Sequence, residues 1–102
     1  MVPYHPRHEV ELFRDEGEFV VYVDLPADDV DVDLRWRDGD LSVIVEHEDP
    51  ETGRNRIRQR HVGFHRPVRR DDISATIEEG VLVVHLPIDE SADHSGTYID
   101  VA

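Results

Sequence analysis

The chain has 102 residues, the size of one domain, and it contains no cysteine, which excludes a disulfide framework and a thiolate metal site. Twenty-four acidic residues against eleven basic ones give a formal charge of −13, and every basic residue is arginine. This balance argues against nucleic acid or anionic membrane as partners, and no apolar run nears the roughly 20 residues of a membrane helix.

Period-2 alternation runs through the chain, which predicts strands and no sustained helix. Val10 and Leu12 alternate with Glu9 and Glu11 in a short first strand, closed by a turn at Asp15–Glu16–Gly17. Glu18 to Leu25 follows, with Phe19, Val21, Val23 and Leu25 on one face, and Pro26 ends it because proline cannot donate to a sheet ladder. Val30, Val32, Leu34 and Trp36 alternate with Asp31, Asp33, Arg35 and Arg37. Asp38–Gly39 is a strong hairpin signal and leads into Leu41, Val43 and Val45.

His47 to Asn55 is polar, carries Pro50 and Gly53, and is expected to be an exposed loop. Ile57 to Val68 is the least regular strand, with Val62 and Phe64 inward and a bulge expected at Gly63. The arginines from Arg54 to Arg60 stand at every second position, one face of a strand paired with surrounding acids. Ile73, Ala75 and Ile77 alternate with Ser74, Thr76 and Glu78, and Glu79–Gly80 turns the chain into Val81 to Leu86. Residues 88–96 are polar, and Ile99 and Val101 lie beyond them. About seven strands with a turn every 8–12 residues predict an all-β sandwich or barrel. Trp36, Val43, Val83 and Leu86 are expected in its interior.

The charge also bears on the milieu. A surface this acidic repels itself in dilute buffer, whereas at about 1 M salt the screening length falls to roughly 3 Å. An Asp-rich chain without lysine fits a high-salt cytoplasm such as that of halophilic archaea. The first eight residues lack an apolar signal core, so the expected location is cytoplasmic.

The stretch from Ala75 through Gly80-Val81-Leu82 to Pro87 resembles the C-terminal signature of the α-crystallin domain. Phe19 to Pro26 looks like the early strand of that family ending in Leu-Pro, and Val30 to Val45 like the hairpin that follows. Arg58 to Arg66 is similar to its Arg-rich strand, and Ile99-Asp100-Val101 to its C-terminal I-x-I/V motif. The resemblance to the small heat-shock proteins implies an antiparallel immunoglobulin-like sandwich over 9–87, which leaves 1–8 as an arm shorter than the family's and 88–102 as a polar tail expected to be flexible. It implies an ATP-independent holdase in the stress response, whose partners are unfolded or partly folded proteins and other copies of itself. A structural or adaptor protein of the same fold, such as a gas-vesicle accessory factor or a CS-domain-like co-chaperone, is the alternative. In the family the tail motif docks between two strands, here Val30–Trp36 and Ile73–Ile77. Ile99 and Val101 would insert into a groove lined by Val30, Val32, Leu34, Ile73, Ala75 and Ile77, by main-chain pairing with alternate side chains buried. The family usually carries an arm of tens of residues, so dimers or small oligomers are expected in place of large shells. Pairing through the Arg54–Arg60 edge and pairing through a short exchanged loop both remain open.

The resemblance implies no catalytic residue and no cofactor, and the sequence offers no phosphate loop or nucleophile elbow. The seven histidines do not assemble a metal site by spacing. His61 and His65 share a strand face but stand ~13 Å apart at about 3.3 Å per residue, too far to ligate one zinc. His5 and His8 fall in the arm.

Overall fold

The computed structural model describes residues 10–27 and 29–91. Seven strands appear: β1 (Val10–Asp15), β2 (Glu18–Asp24), β3 (Asp31–Arg37), β4 (Asp40–Glu48), β5 (Asn55–Gly63), β6 (Ser74–Glu78) and β7 (Val81–Pro87). A single 3₁₀ turn, Arg70–Asp72, interrupts them. The strands form two antiparallel sheets, a four-stranded one in the order β1-β2-β7-β6 and a three-stranded one in the order β3-β4-β5. The expected all-β sandwich is the observed fold. Among the described residues no helix is long and apolar enough to cross a membrane.

The two hairpins that set the register depend on left-handed backbone. Asp38 and Gly39 have φ of 51° and 81°, and Glu79 and Gly80 have 50° and 79°. Positive φ at both central residues twists a two-residue loop to match the right-handed twist of its strands. Glycine adopts that conformation without a Cβ clash, and Asp tolerates it better than most residues. Arg37 therefore faces Asp40, Glu78 faces Val81, and every inward residue of each hairpin is fixed from its turn.

The core lies between the sheets. Phe19, Val21 and Val23 on β2, Leu82, Val84 and Leu86 on β7, and Leu41, Val43 and Val45 on β4 are all buried. Phe64 joins them beyond β5, 5.0 Å from the ring of Phe19 and 5.6 Å from that of Trp36. Val43 and Leu86 are buried as expected, but Trp36 is only partly buried, because β3 is an edge strand with a neighbour on one side. Val83 is not in the core. Its partners are Tyr22 and Thr76, so it belongs to the outer face of the four-stranded sheet.

Three local expectations are corrected. β4 runs on through Glu48 and β5 begins at Asn55, so the loop is shorter than the polar composition of 47–55 suggested. It folds on itself: the Asp49 amide donates to the Arg54 carbonyl at 2.8 Å, and the Gly53 amide to the Asp49 carbonyl at 2.8 Å. Gly63 forms no bulge; it ends β5 in register with Asp40, and the chain leaves the sheet there instead of continuing to Val68. The core also reaches past Pro87. Ile88 is buried, bridges Val68, and donates its amide to the Gly17 carbonyl at 2.9 Å.

The arginines of β5 point inward. Arg60 faces Val43 and Arg58 faces Val45, whose side chains are core, so both arginines lie on the inner face at the rim. An edge strand with inward charges is one means of discouraging edge-to-edge aggregation, while the aliphatic stems cover apolar surface. Arg56 pairs with Asp49 at 3.6 Å.

Candidate functional site

Among the described residues β3 and β6 are edge strands of different sheets, each paired with a neighbour on one side only. Their inner faces meet at an open groove of about 420 Å³ lined by Val32, Leu34, Ala75, Thr76, Ile77 and Leu82. Alternation explains the lining: Val32 and Leu34 are two apart on β3, and Ala75 and Ile77 two apart on β6. Leu82 is the cross-strand partner of Ile77 and forms the floor, being 3% exposed. Ala75 stands over the buried Val84 and is too small to fill the space, which makes a notch beside Ile77. Ile77 is 55% exposed, a large apolar side chain with no neighbour covering it among the described residues.

Of the six residues predicted for this groove, Val32, Leu34, Ala75 and Ile77 line it. Val30 and Ile73 lie outside the lining and pack against the core, just beyond the ends of β3 and β6. Thr76 and Leu82 were not foreseen in it. The pairing of Ile77 with Leu82 across the Glu79–Gly80 turn could have indicated Leu82. Thr76 contributes from the opposite face because β6 is an edge. The other signature residues have structural duties: Gly80 makes the turn, Val81 opens β7, and the Pro87 carbonyl accepts the Arg69 amide at 2.9 Å. Ile99 and Val101 lie outside the described residues.

Among the described residues the groove is lined by apolar side chains and Thr76, with no titratable group, which suits it to apolar ligands. Elsewhere, the His61 Nδ1 lies 3.0 Å from the Ser42 Oγ and 3.4 Å from an Asp40 carboxylate oxygen. That trio has the composition of a hydrolytic triad without its arrangement. In a relay the serine and the carboxylate engage opposite ring nitrogens, whereas here both face Nδ1. On the four-stranded sheet His85 Nδ1 lies 3.3 Å from Glu18 of the adjacent strand, and His65 packs edge-on against Phe19. Among the described residues no group of three or more histidines and carboxylates is placed to hold a metal. A second cavity of about 320 Å³ at Asp49, Thr52, Arg54, Asn55 and Arg56 is polar and occupies the loop already closed by its own hydrogen bonds.

A sandwich of four and three antiparallel strands, with an apolar groove between edge strands of its two sheets, defines an α-crystallin-type domain. The chain belongs to the Hsp20/alpha crystallin family, whose sequence model matches residues 11–102. Solved structures that share its fold include the following three. Heat shock protein 16.0 from Schizosaccharomyces pombe is 19% identical, with 99% of this chain and 87% of that one covered and a TM-score of 0.73. A small heat-shock protein from Xylella fastidiosa is 24% identical over 97% of each chain, with a TM-score of 0.69. The hspA protein from Xanthomonas axonopodis is 24% identical, covers 81% of this chain and 94% of its own, and has a TM-score of 0.72. No curated protein sequence matches the chain at a significant level.

Proposed function

We propose that this protein is an ATP-independent holdase that binds exposed apolar segments of unfolding proteins and limits their aggregation. The observation that carries the reading is the groove between β3 and β6: apolar, open, and, among the described residues, uncharged and bordered by two strands with unpaired edges. An extended segment lying there adds main-chain hydrogen bonds to an edge and places every second side chain in the notch at Ala75. Such recognition reads apolar character and extended backbone, with little demand on sequence, as a protein that meets many clients requires. No step needs a nucleotide or a cofactor, and no residue is assigned a catalytic part.

The tail supplies a competing occupant. Ile99 and Val101 are two apart, so in an extended chain both face one way. Docked in the groove of the same or a neighbouring copy, they tie assembly to client access. Self-association runs through sheet edges, because the loop between β4 and β5 is closed on itself and presents no strand to exchange. The division into an arm over 1–8, a sandwich over 9–87 and a tail over 88–102 follows this scheme. The excess of acids, the absence of lysine and the exposure of the carboxylate-bearing strand faces support a cytoplasm of high salt, as in halophilic archaea.

The test is light scattering of a thermally unfolding model enzyme in 2 M KCl without nucleotide, with and without this protein. Suppressed aggregation is the expected result. A protein that leaves aggregation unchanged at several-fold excess is no holdase, and the adaptor reading replaces this one.

A further inference from the structure

Four strands leave an edge unpaired among the described residues: β1 and β6 in one sheet, β3 and β5 in the other. When two copies join such an edge antiparallel across a two-fold axis, outer residues meet outer ones and inner meet inner. Charge then separates the four edges. β5 carries Arg56, Arg58 and Arg60 on one face, and every self-pairing centred among them sets arginine against arginine. On β1 the acids Glu11 and Asp15 lie on one face and Arg14 on the other, so no opposite charges meet. β6 has a single charged residue, Glu78. β3 differs. Its sequence, Asp31-Val32-Asp33-Leu34-Arg35-Trp36-Arg37, places two acids before Leu34 and two arginines after it, all four on the outer face.

We propose that β3 pairs antiparallel with β3 of a second copy, with the two-fold axis at Leu34. Asp31 then opposes the partner's Arg37 and Asp33 the partner's Arg35, and symmetry repeats both pairs. On the inner face Leu34 meets the partner's Leu34, and Val32 the partner's Trp36. Charge selects this register: one centred at Asp33 sets two carboxylates together, and one centred at Arg35 two guanidinium groups. The main chain agrees. Arg37 and Asp40 close the Asp38–Gly39 turn as a hydrogen-bonded pair, so alternation turns the amides and carbonyls of Val32, Leu34 and Trp36 to the free side. There they oppose those of the same three residues in the partner. The neighbouring strand adds to the fit. Asp31 is flanked on β4 by Glu46, a pair of like charges, and the partner's Arg37 enters on the other side of Asp31. Arg35 and Asp33 already form an ion pair at 3.1 Å within the strand, both side chains more than half exposed, and the pairing extends it to a ring of four. Salt near 1 M confines charge interactions to about 3 Å, which removes the repulsion between two copies of charge −13 and keeps the contact pairs. The inference names a surface of self-association and stands whatever the groove binds, because β6 keeps its own edge for an extended segment.

Charge exchange tests it. Asp31→Arg, Asp33→Arg makes the outer face of the strand uniformly basic, and Arg35→Asp, Arg37→Asp makes it uniformly acidic; all four positions are exposed. Each variant alone sets like against like, whereas a mixture of the two opposes unlike charges at every position. In sedimentation at about 0.5 M KCl each variant should show about half the parent's mass, with its dimerisation Kd raised at least ~tenfold. An equimolar mixture should return to the parent's mass, and both variants remain acidic overall, so general attraction does not supply the rescue. A monomeric parent, a variant that keeps the parent's mass, or two folded variants that stay apart when mixed overturns the proposal. The absence of cysteine gives an independent measurement should a charge variant unfold. Leu34→Cys meets its symmetry mate at ~5.5 Å between Cα atoms, within a disulfide's reach, whereas Asp33→Cys and Arg35→Cys lie ~7–8 Å from theirs. Mild oxidation should link Leu34→Cys into dimers well ahead of the other two. Failure of Leu34→Cys to link, or linkage of either other variant at the same rate, overturns the register and the proposal with it.

Discussion

An Ile77→Thr substitution removes apolar surface from the groove while keeping the β-branched shape that suits a strand. Complete burial of an isoleucine side chain stabilises by about 1.5–3 kcal/mol. Ile77 is 55% exposed, so an occupant that covers the remainder gains about 0.8–1.6 kcal/mol from it. Losing ~1 kcal/mol of that weakens binding about fivefold. The fold should lose less than about 1 kcal/mol, in keeping with other exposed positions. Leu82→Ala is the contrast: its side chain is 3% exposed beneath Ile77, and its loss should cost about 2–5 kcal/mol of folding stability. Urea titrations at 2 M KCl, followed by the fluorescence of the single tryptophan, Trp36, measure the folding terms. The concentration giving half-maximal protection of a model client measures the binding term and should rise about fivefold for Ile77→Thr. If Ile77→Thr destabilises as strongly as Leu82→Ala, Ile77 is a core residue and the groove is closed in solution. An intact fold with an unmoved half-protection concentration would refute the groove as the binding surface.

Other outcomes follow from the same structure. Stability should rise between about 0.1 M and 2 M KCl as repulsion within the −13 charge is screened; a flat or falling denaturation midpoint would remove the high-salt reading. Gly80→Ala should cost about 1–2 kcal/mol in urea titrations, because φ is +79° while a Cβ there meets nothing within 4 Å, leaving backbone strain as the whole effect. The double change Ile99→Ala, Val101→Ala should reduce assembly in light scattering and leave the urea midpoint in place. Two such side chains bury about 3–6 kcal/mol before the entropy of ordering the tether is subtracted. An unchanged size distribution and unchanged client protection would make the tail irrelevant to both. The parent protein should scatter as dimers or small oligomers, and a particle of the 24-subunit class would contradict the edge-pairing scheme.

The parts of the fold legible in the sequence are those where one local signal decides the outcome. Asp38–Gly39 and Glu79–Gly80 set two hairpins, and with alternating side chains a known turn fixes which residues face inward. Alternation puts Val32 and Leu34 on one face of their strand and Ala75 and Ile77 on one face of theirs, whereas the meeting of the two faces in a groove is implied by the resemblance to the small heat-shock proteins. What escaped depends on how the sheets stack. Val83 alternates as well as Val84 does, and only pairing with Tyr22 and Thr76 assigns it outward. The inward arginines of β5 invert the usual pattern of a half-buried strand, and nothing local marks β5 as an edge. Val30 and Ile73 share the parity of the groove residues but lie past the strand ends, a boundary that periodicity does not define. Ile88 follows a proline and precedes a polar run, yet its bridge to Val68, distant in sequence, brings it into the core.

The central claim, that clients bind in the groove, is tested most directly by photocrosslinking from within it. A photoreactive residue replacing Ile77 would project into the groove, whereas one replacing Arg35 would project from β3 on the opposite face, where the Arg35 side chain is 71% exposed. On heating with an unfolding client in 2 M KCl, position 77 should form client adducts and position 35 should form few. Adducts at position 35 equal to or exceeding those at position 77, or none at position 77 while aggregation is still suppressed, would place the client-binding surface elsewhere.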